Sequence, residues 1–118
     1  MTTGQEWLID ATGCDPARLR DEHALRALFE VLIARLELRV VGSPQWHRFP
    51  GPGGVTGLAL LSESHLTIHT FPELGFAALN LYTCRDRAQP DWESLVKELL
   101  GAKEISIREL RRGTGGSK

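Results

Sequence analysis

The chain has 118 residues, 42% hydrophobic and 25% charged, and 14 basic against 15 acidic side chains give a net charge of -1. That length and balance fit one globular domain that closes its own core without a disulfide or metal staple. The basic residues are scattered apart from Arg111, Arg112 and Lys118, which argues against nucleic acid as a partner. No apolar run reaches the roughly 18 residues of a membrane span, and no basic-then-apolar leader opens the sequence. A cytoplasmic protein is expected, with Cys14 and Cys84 both reduced.

Residues 6–11 (EWLIDA) form a short apolar run stopped by Thr12 and Gly13, and read as a first strand. From Glu22 the period changes. Leu25, Leu28, Phe29, Leu32 and Leu36 fall on one face of a predicted helix ending near Leu36. Residues 38–41 and 45–49 read as strands separated by Gly42, Ser43 and Pro44, and the Pro/Gly-rich residues 49–54 (FPGPGG) read as a loop. Residues 57–61 (GLALL) are continuously apolar, as expected of a buried central strand.

Residues 65–70 alternate, with Leu66 and Ile68 to one side and His65, Thr67 and His69 to the other. Residues 75–84 repeat the arrangement, with Ala77, Leu79 and Leu81 opposed to Phe76, Ala78, Asn80, Tyr82 and Cys84. Pro90 and Asp91 open a second helix with a stripe of Trp92, Leu95, Val96 and Leu99, and Gly101 caps it. Ile105 and Ile107 mark a last strand, and residues 111–118 (RRGTGGSK) read as a disordered tail after a single domain of residues 1–110. The order β, α, several β, α, β predicts an α+β two-layer sandwich, a mainly antiparallel sheet with two helices on one face. Its other face, bearing His65, His69, Asn80 and Cys84, must meet solvent, line a site or pack on a second subunit.

The pair His65 and His69 suits a shared metal ion on a helix, but along a strand four residues span about 13 Å, too far to chelate one ion. No metal site is therefore expected. The glycines at 51, 53, 54 and 57 lack the GK[ST] ending of a phosphate loop and serve turns instead. Ser62, Glu63 and Ser64 lie between two strands. They make an ordinary polar turn, or they place a hydroxyl beside the preceding carbonyl, where attack would be intramolecular.

The segment LSESHLTIHTFPELGFAALNLYTC, together with WHRFPGPGGVTG upstream and LIDATGC near the start, closely resembles the prokaryotic S-adenosylmethionine decarboxylases. The resemblance implies a proenzyme that cuts itself between Glu63 and Ser64, giving a β chain of residues 1–63 and an α chain of residues 64–118. Ser64 would become a pyruvoyl cofactor whose ketone condenses with the substrate amine and withdraws electrons as carbon dioxide leaves. The product would be decarboxylated S-adenosylmethionine for spermidine synthesis. The resemblance assigns His69 and Thr56 to processing, with Glu63 and Ser64 at the cut, and Cys84 to returning a proton to the substrate carbon. It assigns Phe49 to stacking on adenine and Glu73 to the ribose hydroxyls, and implies a dimer of αβ units.

Four positions depart from the family pattern and bear on the substrate pocket or its surroundings: Phe71 replaces a tryptophan, Asn80 a frequent aspartate, Arg85 a glycine, and the loop after Phe49 is one residue longer. Phe71 still offers an aromatic face. The departures keep arginine or ornithine open as a smaller amino-acid substrate, because Glu73 can also pair with a guanidinium or ammonium. An unprocessed, non-catalytic paralogue is the reading of another class, and the joint presence of Ser64, His69 and Cys84 argues against it.

Overall fold

A computed structural model describes residues 3–84 and 91–113. The expected helix start at Pro90, the Arg85 departure and the last five residues of the expected tail lie outside the described residues. Six strands form one antiparallel sheet: β1 (Gly4–Thr12), β2 (Gln45–Arg48), β3 (Val55–Leu61), β4 (Ser64–Phe71), β5 (Phe76–Thr83) and β6 (Glu104–Arg112). Their spatial order is β2-β3-β4-β5-β1-β6. The helices α1 (Pro16–Leu19), α2 (Glu22–Arg35) and α3 (Trp92–Leu100) cover one face, so the two-layer α+β sandwich stands.

The core follows from two periods meeting. Alternate residues Trp7, Ile9 and Ala11 of β1, Leu66 and Ile68 of β4, and Ala77, Leu79 and Leu81 of β5 are buried on the helical face. Against them lie Leu25, Leu28, Phe29 and Leu32 of α2, and Trp92, Leu95, Val96 and Leu100 of α3. Helix starts are set by side chains. Asp21 accepts from the amides of His23 and Ala24, and Asp91 accepts from the amide of Ser94.

Several sequence expectations are corrected. A third helix, α1, is present: Asp15 caps it and Pro16 opens it, but at four residues it carries too little apolar pattern to be seen as a stripe. A 3-10 turn, Pro72–Leu74, ends at Gly75 in a left-handed conformation, so the fifth strand begins one residue later than expected and ends before Cys84. Residues 38–41 make a single bridge, Val40 to Leu61, rather than a strand. Positive φ at Glu37 and Gly42 bends the chain at both ends of that segment and keeps the ladder short.

The apolar run of β3 is not buried on both faces. Val55, Ala59 and Leu61 enter the core, while Leu58 and Leu60 are 44% and 58% exposed on the opposite face. Nor does the tail begin at Arg111. Strand β6 pairs with β1 through Arg112, where the guanidinium bonds Glu6 at 2.9 Å.

At the β2 edge the core needs a glycine. The Trp46 ring lies across its cross-strand partner Gly57, packed by Phe29 at 4.7 Å and by the Arg26 guanidinium. A Cβ on residue 57 would enter that ring. Gly57→Val is expected to lower stability by about 1–3 kcal/mol through overpacking. Urea unfolding checks this, and an unchanged midpoint would contradict the packing described.

Candidate active site

Antiparallel register decides which side chains meet. Thr56 near the start of β3 lies opposite His69 near the end of β4, and their Oγ1 and Nδ1 atoms are 3.1 Å apart, sharing one proton. Both line a cleft of about 360 Å³ together with Phe49, Phe71 and Glu73. The loop after β2 forms its wall. The Phe49 amide donates to the Gly54 carbonyl at 2.8 Å, closing the FPGPGG loop, and His47 meets the Phe49 ring edge-on at 4.6 Å.

Gly54 is required here, because a Cβ would collide with the Thr70 carbonyl oxygen. Buried Thr70 fastens this end of the sheet: its hydroxyl accepts from the Val55 amide and donates to the Leu19 carbonyl, both at 2.8 Å. The cleft thus offers two half-exposed aromatic faces, Phe49 and Phe71, beside one carboxylate, Glu73, and one imidazole, His69. Flat rings with convergent polar groups suit a planar base attached to a polar chain.

The other three residues singled out in the sequence lie elsewhere. Ser62 and Glu63 form the two-residue turn between β3 and β4, and Ser64 starts β4 opposite both Leu61 and Thr83. The Cys84 amide, one residue past the end of β5, donates to the Glu63 carbonyl oxygen at 2.9 Å. That bond withdraws electrons from the carbonyl beside Ser64 and would stabilise negative charge developing on its oxygen. Cys84 carries a free, exposed thiol, in contrast to Cys14, whose burial pushes its thiol up to about 11.

Ser64 and His69 are five residues apart on one extended strand, hence separated by about 16 Å. The residues singled out in the sequence therefore fall into two separate groups. Thr56, His69, Phe49, Phe71 and Glu73 gather at one end of β4, and Glu63, Ser64 and Cys84 at the other. Sequence reasoning missed the amide of Cys84, because a main-chain donor leaves no mark in a sequence beyond the strand register.

Asn80, expected to bear on the substrate pocket or its surroundings, does not line this cleft but lies between His65 and Glu6 in the middle of the sheet face. Among the described residues no three His, Cys, Asp or Glu side chains gather as a metal site. None of the helices described is long and apolar enough to cross a membrane.

A family model described as S-adenosylmethionine decarboxylase matches residues 5–113. An S-adenosylmethionine decarboxylase proenzyme of Prochlorococcus marinus is 40% identical over 112 residues, covering 94% of this chain and 88% of its own length. A proenzyme of the same name from Bacillus cytotoxicus is 41% identical over 117 residues, covering 97% and 87%. The crystal structure of the adenosylmethionine decarboxylase from Aquifex aeolicus superposes with a TM-score of 0.80 at 31% identity, over 95% of this chain and 92% of that one. With matches that run nearly end to end in both sequence and fold, the chain belongs to the S-adenosylmethionine decarboxylase family.

Proposed function

We propose that this chain is a self-processing, pyruvoyl-dependent decarboxylase of S-adenosylmethionine, acting in the cytoplasm, and that each active site is assembled from two copies. The observation that carries this reading is the separation of Ser64 from His69 along β4. A two-fold axis lying between two facing sheets, perpendicular to the strands, sets the Ser64 end of one copy over the His69 end of the other. The face that would be covered is suited to it. Leu58 and Leu60 of β3 and Leu110 of β6 are exposed there without helical cover, beside Ala78 and Tyr82 of β5.

Processing uses the chain's own atoms. The Ser64 hydroxyl loses its proton and adds to the Glu63 carbonyl carbon, while the Cys84 amide holds the oxygen on which charge develops. The bond to the Ser64 nitrogen then breaks, leaving an ester on Glu63 and a free amine on residue 64. His69 of the partner subunit, oriented by Thr56, takes the Cα proton of residue 64, and the Glu63 carboxylate departs. Water replaces the nitrogen of the resulting dehydroalanine, ammonia leaves, and a pyruvoyl group remains at the new N-terminus.

Once formed, the pyruvoyl supplies an electron-withdrawing carbonyl beside the substrate's α-carbon. Phe49 and Phe71 hold the adenine, Glu73 accepts from the ribose hydroxyls, and the Cys84 thiol returns a proton after carbon dioxide leaves. The Ser64 corner fits the group: the residue is only partly buried, so a substrate amine has access to it.

Intact mass is the first test. Fresh protein is expected as two fragments, residues 1–63 and 64–118 with a pyruvoyl start, whereas Ser64→Ala stays whole. Cys84→Ser should still be cut, because its amide is retained, but should decarboxylate poorly, while His69→Ala should fail at cleavage. A wild type that remains one chain overturns self-processing, and a Cys84→Ser enzyme with full turnover overturns the proton-donor role.

Substrate choice is tested by carbon dioxide release from S-adenosylmethionine, arginine and ornithine supplied separately to the processed enzyme. Release from S-adenosylmethionine is expected. Phe49→Ala should raise its KM about fivefold or more, the loss of one aromatic contact of roughly 1 kcal/mol. Release from arginine or ornithine alone would overturn the substrate while leaving the cleavage chemistry standing.

A further inference from the structure

On the open face of the sheet a chain of polar contacts crosses four strands and ends one residue from the cut. The Arg112 guanidinium donates to Glu6 Oε1 at 2.9 Å, and Asn80 Nδ2 donates to Glu6 Oε2 at 2.8 Å and to the Trp7 carbonyl at 3.2 Å. Asn80 Oδ1 then faces His65 Nε2 at 2.8 Å. Because a carboxylate and a carbonyl can only accept, the amide orientation is fixed, and His65 must carry its hydrogen on Nε2. The His65 ring is stacked on Tyr82, with centroids 5.7 Å apart and planes 19° from parallel. Tyr82 in turn leans over Gly4, where a Cβ would collide with its ring.

Self-cleavage, on which this inference rests, gives the position of His65 a particular importance. In the uncut chain the turn at Ser62 and Glu63 joins β3 to β4 and holds Ser64 in register. Cutting the bond between Glu63 and Ser64 removes that covalent tie and turns residue 64 into a chain end, and free chain ends fray. His65 is the first residue after the cofactor position, and its side chain is tied to two residues of β5, Asn80 and Tyr82, across the sheet. We infer that His65, held by Asn80 and Tyr82, is a positioning clamp that replaces the severed turn and keeps the new N-terminus of the α chain aimed at the substrate. The clamp contributes little before the cut and is decisive after it.

The test compares the full chain and its variants by intact mass, by hydrogen exchange of the peptide that begins at residue 64, and by kcat and KM. In Asn80→Ala the extent of cleavage should stay within about twofold of wild type, while exchange protection at the start of β4 falls about tenfold in the cut protein. Protection should be unchanged when Asn80→Ala is placed in the uncut Ser64→Ala chain. Misplacing the cofactor end should lower kcat about ten- to a hundredfold with a smaller change in KM.

Asn80→Asp keeps the acceptor for His65 but sets a carboxylate against Glu6 and the Trp7 carbonyl, and should lose kcat and protection less than Asn80→Ala does. Combining it with Glu6→Gln reverses donor and acceptor between positions 6 and 80, keeps the His65 and Arg112 contacts, leaves only the bond to the Trp7 carbonyl unmade, and should restore kcat and protection to within about threefold. Tyr82→Leu, which removes the stacking on His65 together with the hydroxyl's bond to the Thr3 carbonyl but leaves the bond from His65 to Asn80, is the second route if Asn80 variants fold poorly, and should lose protection at the start of β4 only in the cut protein. Protection lost equally in cut and uncut chains, or absence of rescue by the swap, overturns the clamp alone. A wild-type chain that is never cut overturns the self-cleavage reading and the clamp with it.

Discussion

A β-strand cannot bend back on itself, and the extended backbone from Ser64 to Phe71 keeps the two ends of β4 apart. The hydroxyl beside the scissile carbonyl stands at one end, and the imidazole with its threonine partner stands at the other. Every side chain to which the proposed chemistry gives a role is present in one chain, yet no rotamer change brings Ser64 to His69 across about 16 Å. The fold makes each half rigid. Cross-strand pairing fixes Thr56 against His69, and the Cys84 amide fixes the Glu63 carbonyl, so in the proposed reading the two groups meet only between copies.

The asymmetry of the sheet follows from the same strands. Helices fill the face carrying Trp7, Ile9, Leu66, Ile68, Leu79 and Leu81, and among the described residues no helix covers the face carrying Leu58, Leu60, Thr67, Asn80 and Leu110. Exposed leucines beside a connected polar chain are costly in water and useful at a contact between copies. By strand alternation Thr56 and His69 belong to that same uncovered face as Leu58 and Thr67, while Ser64, in line with Leu66 and Ile68, stands at the end of its strand.

Much of this was legible in the residues. The alternation of HLTIHT announced a strand buried on one face, and the spacing of Leu25, Leu28, Phe29 and Leu32 announced α2. Residues 38–41 misled because Leu38 is apolar for packing against the core, not for pairing in a ladder. The last residues of β6 were hidden for the opposite reason. Beyond Ile107 the strand is exposed on both faces, and backbone pairing with β1, aided by contacts such as Gln5 to Glu109, holds it without any apolar alternation. The network from Arg112 to His65 joins residues far apart in sequence, so only the sheet order brings it together. The roles of Ser64 and Cys84 rested on resemblance, since a serine in a turn and an exposed cysteine have no pattern of their own.

The division of the site between copies is tested most directly by co-expressing two chains that are each defective alone, Ser64→Ala and His69→Ala, and weighing the products of the mixed dimers. If His69 acts across the interface, the His69→Ala chain, whose Ser64 is intact, is cut by the histidine of its Ser64→Ala partner, and the Ser64→Ala chain stays whole. Mixed dimers in which neither chain is cut would contradict the shared site.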